Sequence, residues 1–73
     1  MNLDKIIWYK HDDNSIIACT EKIKVMAENL TEIQTILQDA YEDAILMDIS
    51  PKQVLEELHK IVNSLHNPYK DHK

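Results

Sequence analysis

Glu56 and His59 stand three residues apart in the string EELH, and Asp39, Glu42 and Asp43 cluster in the segment before it. A Glu-x-x-His pair facing carboxylates from a neighbouring helix is the donor set of di-iron and di-manganese bundles. Cys19 is the single thiol, placed where a helix could start and where a helix dipole would favour a thiolate. His11, His66 and His72 complete the residues on which catalysis or metal binding would have to rest. Ligands in a bundle must project inward, so the elements that carry these side chains decide the matter.

The segment holding the acids has its apolar residues at Ile23, Met26, Leu30, Ile33, Leu37, Ala40, Ala44 and Met47. Their steps alternate three and four without a break, which is the a/d seam of a heptad helix. The spacing predicts a long helix over 20–48, spanning roughly 40 Å at 1.5 Å per residue. Relative to that seam, Glu32 and Asp39 share one outer heptad position, Glu28 and Glu42 share the next, and Asp43 lies on the edge. In the following segment Leu55, Leu58, Val62 and Leu65 form the seam, which leaves Glu56 outside it and His59 on a flank. Burying carboxylates without cations is expensive, so the acids read as a solvated face and no metal is expected. Cys19 reads as a small buried hydrophobe at a joint, and the histidines have no Ser and Asp partners to organise a nucleophile. No catalytic residue and no cofactor are expected, and the chain reads as a non-enzyme.

The second helix carries the sharpest local signal. Ser50 can cap the free amides, Pro51 fits the first helical position, and Gln53 stands where a capping box needs it. The helix is predicted over 51–66, with Asn67 as a left-handed cap and Pro68 as a stop. A short connection at 48–50 folds the two helices into an antiparallel hairpin. Upstream, KIIWYK and SIIACT flank HDDN, which predicts a β-hairpin over 1–19 turning near Asp12–Asn14. The competing reading starts the long helix at Asn14 or Ser15. Within the hairpin, Trp8 and Tyr9 must face opposite sides, with Trp8 anchoring the strand pair to the helices. The tail, 67–73, reads as polar and frayed.

Seventy-three residues form one small domain, and chains of this size commonly lean on disulfides, metals or association. A lone Cys excludes an internal disulfide, and with no secretory signal it fits a reducing cytoplasm. No apolar stretch reaches membrane length. The formal net charge of −5 argues against direct nucleic-acid binding and favours a basic protein partner. Strand–helix–helix is also the order of ribbon-helix-helix DNA binders, but Lys5 and Lys10 supply too little charge for that role. The absence of glycine removes phosphate-cradling loops.

The helices differ in length, so the shorter one leaves the early seam uncovered. A second copy could cover it across a twofold axis as a four-helix bundle. Ile23, Met26, Leu30, Ile33 and Leu37 are therefore the expected dimer interface. Glu28, Glu32, Asp39, Glu42 and Asp43 are the expected contact surface for a basic partner, because acids near a helix C-terminus oppose its dipole and stability alone would not select them. The strings IIWYKHDD, EKIKVMAEN, YEDAILM and LHNPY resemble those of a small bacterial family of uncharacterised proteins, along most of the chain. That resemblance implies a single cytoplasmic domain and no catalytic residues. The expected function is a homodimeric, helical protein-interaction module, with an acidic regulator of a basic partner as the alternative.

Overall fold

The chain reverses direction at Asp48, and the chemistry of that turn fixes the architecture. In the computed structural model, which describes residues 2–69, a long helix α1 runs Thr20–Leu46 and a shorter helix α2 runs Pro51–Asn63. The two fold back as a helical hairpin. Met47 ends α1, Asp48 takes the left-handed conformation at φ 59°, and its amide donates to the Ile45 carbonyl at 3.2 Å. The Ile49 amide then donates to the Ala44 carbonyl at 2.8 Å. These two bonds are the Schellman pair, which satisfies carbonyls that a helix end leaves free. Glycine normally occupies the left-handed site. This chain has none, and aspartate is among the few side chains that tolerate it.

α2 begins as the sequence predicts. Ser50 is its N-cap, with the Ser50 hydroxyl accepting from the Gln53 amide at 3.2 Å, and Pro51 opens the first turn. It ends three residues earlier than predicted. The Ser64 amide donates to the Lys60 and Ile61 carbonyls, and the Ser64 hydroxyl donates to the Ile61 carbonyl at 2.7 Å. Asn67 is not a left-handed cap. Its Oδ1 accepts from the Tyr69 amide at 2.7 Å, a local turn. Pro68 accounts for Asn67, because a residue before proline is steered away from helical geometry, while the helix itself closes at Ser64 through the bonds its amide and hydroxyl donate.

The N-terminal segment forms no named strand among the described residues. It opens with a 3-10 turn at Leu3–Lys5, absent from the sequence expectation, and this turn packs on α1. A single antiparallel bridge then joins Tyr9 and Ile16. It is flanked by bonds from the Lys10 amide to the Ser15 carbonyl and from the Ile17 amide to the Trp8 carbonyl, both 2.8 Å. The loop between them places Asn14 at φ 60°, again a left-handed residue without glycine. Asp13 Oδ1 accepts from both the amide (3.0 Å) and the hydroxyl (2.7 Å) of Ser15. Ile6, Trp8 and Ile17 are half-buried while Ile7, Tyr9 and Ile16 are exposed, the alternation expected of extended backbone. The Trp8 Nε1–H is enclosed without a hydrogen-bond partner, so the indole serves there as apolar volume. The helix starts at Thr20, not at Asn14 or Ser15.

The packing is thin. Among the described residues Ala44 alone is buried, at 3% exposure. The molecule exposes 6719 Å², whereas a compact chain of 8.6 kDa exposes roughly 4,700 Å². Its radius of gyration is 15.8 Å, against roughly 11 Å for a compact domain of this length.

Two expected outcomes follow from the turns. Asp48 bears a left-handed backbone and a carboxylate at a helix C-terminus, both unfavourable. Asp48→Gly should therefore raise the unfolding midpoint by about 4–8 °C, corresponding to about 1 kcal/mol, and Asp48→Val should lower it. A calorimetric midpoint that falls in the glycine variant would contradict the strain assigned to this site. At the other turn, the Ser15 amide and hydroxyl hold the Asp13 carboxyl below its usual range. Because the folded value lies below the unfolded one, the turn's contribution is complete above about pH 4 and fades as pH falls through the lowered value. The Ser15 amide resonance should titrate with a midpoint below the ordinary aspartate value, and a midpoint at or above it would refute the bonding.

A candidate interaction groove

α1 presents Leu30, Ile33, Gln34, Leu37, Gln38 and Tyr41 toward a groove whose opposite wall is α2. Leu55, Leu58, His59 and Val62 form that second wall, and Leu3 and Ile6 from the N-terminal segment close one end. The space is about 530 Å³ and open along its length. Nearly all of its lining is aliphatic. Its polar groups are two amides, one phenol and one imidazole, and no Asp, Glu, Lys or Arg lines it.

The origin of the groove lies in the two helix periodicities. Leu30, Leu37 and Tyr41 are half-buried, as are Val54 and Leu58, so the centres of both apolar faces meet. The α2 face is wider than this contact. Leu55 and Val62 lie on one side of Leu58 and remain exposed, and Ile61 is exposed on the other. α1 is 27 residues long and α2 is 13, so α2 reaches only half of the α1 seam. The N-terminal segment takes part of the rest, leaving Ile23 and Met26 half-buried and Ile33 at 49% exposure.

The expected interface residues therefore divide. Leu30, Ile33 and Leu37 line the groove, whereas Ile23 and Met26 lie outside its lining. Gln34, Gln38 and His59 were not singled out as groove residues from sequence. Gln34, Gln38 and Tyr41 fall at i, i+4 and i+7, one helix face, which is the signal that would have found them. His59, read as a flank residue, is in the groove wall, while Glu56 is exposed and outside it.

The acids take the opposite side. Glu28, Glu32, Asp39, Glu42 and Asp43 are all exposed, and none lines the groove. Glu42 accepts from Gln38 Nε2 at 2.8 Å. The ion pair found among the described residues joins Lys60 to Glu57 at 2.9 Å within α2, far too exposed to contribute much. The last turn of α1 contains no basic residue. Among the described residues, no three His, Cys, Asp or Glu side chains gather in a way that could hold a metal ion. Cys19, expected to be buried, is exposed at the N-cap of α1, and His11 lies in the loop before it. His72 lies outside the described residues.

α1 also carries a second apolar row. Val25 and Ile36 are eleven residues apart, three helical turns, and Met47, the last seam residue and the cap just past α1, stands a further eleven residues on, near the same line. All three are exposed and none belongs to the groove. Glu32 and Asp43 border this row, and Leu46, at 83% exposure, lies among the acids beyond them.

No described helix is long and apolar enough to cross a membrane. No family model, curated protein or solved structure matches the chain.

Proposed function

We propose that this chain is a non-enzymatic, cytoplasmic protein-interaction module that works as a homodimer, its two helical hairpins packing into a four-helix bundle. The observation that carries this reading is the surface left uncovered. The chain exposes 6719 Å², roughly 2,000 Å² more than a compact chain of its mass. A standard stable interface removes about 800 Å² from each partner. Association of two copies thus has enough surface to draw on, and Ile33, Leu55 and Val62 are exposed apolar side chains within it. The apolar seam residues Leu30, Ile33 and Leu37 supply its centre. In the dimer the single Tyr9–Ile16 bridge extends into a short β-hairpin over the N-terminal segment. The family resemblance carried by the sequence strings is compatible with this role and implies no activity that would compete with it.

A second reading is favoured by one feature, the one-signed outer face of α1. Glu28, Glu32, Asp39, Glu42 and Asp43 face solvent, and α1 bears no cation after Lys24. A basic surface on another protein would turn their mutual repulsion into complementarity. On this reading the protein is an acidic regulator that occupies such a surface.

Light scattering after gel filtration should give twice the chain mass at micromolar concentration, and Leu30→Asp should return it to one chain mass with its helix content retained. A monomeric wild-type protein ends the dimer reading. For the acidic face, joint replacement of Glu32 and Glu42 by Gln and Asp39 by Asn should stabilise the isolated protein by about 0.3–1 kcal/mol, while abolishing capture of a basic partner. A neutralised protein that loses stability would show that these carboxylates are held by favourable contacts, contrary to a face kept for a partner.

A further inference from the structure

We infer that the two copies meet groove to groove, with the Leu55–Val62 edge of each α2 seated in the partner's groove. This rests on the dimer reading above and specifies which of two exposed apolar surfaces of α1 it uses.

The groove and the Val25–Ile36–Met47 row are both uncovered, and burial of apolar area alone does not separate them. Charge does. In a twofold contact residue i of one copy meets residue j of the other and j meets i, so a patch bordered mainly by carboxylates sets like charge against like charge. The outer row is bordered by Glu32 and Asp43, with Leu46 among further acids. Packing two such rows together brings carboxylates against carboxylates, with a net charge of −5 on each chain. The groove is lined by no charged residue at all. It is therefore the apolar surface with the fewest carboxylates to set against one another, Glu42 standing at its rim through the bond it accepts from Gln38.

Shape points the same way. The groove is concave and bounded by a ridge, because Leu55 and Val62 stand exposed on the α2 wall while Ile33 and Leu37 lie on the α1 wall. Two identical V-shaped clefts interlock when the ridge of each enters the cleft of the other. The groove of about 530 Å³ has room for such aliphatic side chains. Gln38 keeps its bond to Glu42, while Gln34, Tyr41 and His59 are the polar groups left to pair across the axis, and a few buried polar groups of this kind fix register. The half-buried positions Ile23 and Met26, already flanked by the chain's own N-terminal segment, lie outside the contact.

The test compares two charge insertions at sites of similar exposure. Sedimentation equilibrium on the full chain should show that Val62→Glu weakens association roughly a hundredfold or more, because each copy would bury an unpaired carboxylate. Ile36→Glu should leave association unchanged within about threefold, as for an exposed surface substitution away from the contact. Circular dichroism establishes that both variants keep their helices. Where Val62→Glu fails to fold, thiol protection replaces it. In a Cys19→Ser background, Leu55→Cys should react with a maleimide more slowly at high than at low protein concentration, while Ile36→Cys should react at the same rate at both. A dimer that survives Val62→Glu, or that Ile36→Glu also dissolves, overturns groove-to-groove docking and leaves the dimer itself standing. A wild-type chain that stays monomeric overturns both.

Discussion

The Ile49 amide donates to the Ala44 carbonyl across the turn, and the rest of the molecule hangs on where that bond sends the chain. It ends α1 after 27 residues and returns α2 along its later half. Ala44, the small residue at the base of the hairpin, is buried there, and Leu37, Tyr41, Val54 and Leu58 are half-buried along the two helices that leave it. Because α2 is only 13 residues long, it runs out before reaching the first half of α1. The 3-10 turn and the bridged loop lean on that first half without closing over it. A groove is the geometric consequence of one tight end and one open end.

Much of this was legible in the sequence for reasons that are local. Alternating steps of three and four fix a helical face whatever the neighbour, and Ser50, Pro51 and Gln53 fix a helix start through bonds within four residues. The solvated placement of Glu32, Asp39 and Glu42 follows from the same periodicity. Other features escaped because they depend on more than one element. His59 became a groove residue only when α2 had a definite rotation against α1. The Leu3–Lys5 turn has little propensity of its own and exists where Leu3 and Ile6 find an apolar wall. The end of α2 was misjudged because apolar spacing continues to Leu65, whereas the bonds that Ser64 donates close the helix earlier. The left-handed positions carried a readable signal. A chain with no glycine must place such residues on Asn or Asp, and Asn14 and Asp48 are where it does.

The two sides of α1 differ in a way that bears on what each can recognise. An uncharged apolar groove is tolerant of its own image, and a row of carboxylates is not. The acidic side would repel a second copy of the chain, which in the proposed dimer favours contact through the groove. The same acids weaken the helix that carries them, since α1 ends without a single cation to complement its dipole. Specificity obtained at a small cost in stability is a familiar exchange in small helical assemblies. Here the cost is confined to one helix and the benefit to one face.

Association also bears on whether the fold is stable at all. Ordering backbone costs roughly 1–2 kcal/mol per residue, and a chain with one buried residue among those described recovers little of that from its own packing. In the proposed dimer, every apolar side chain that a second copy covers adds to the folded side of the balance. In such a system the apparent stability rises with protein concentration, because the partner binds the folded chain and not the unfolded one. The exposed edges of α2 are then not a defect of the hairpin. Leu55, Val62 and Ile33 are held back from the intramolecular core, and the surface they present is the part of the hydrophobic driving force that a second chain can complete.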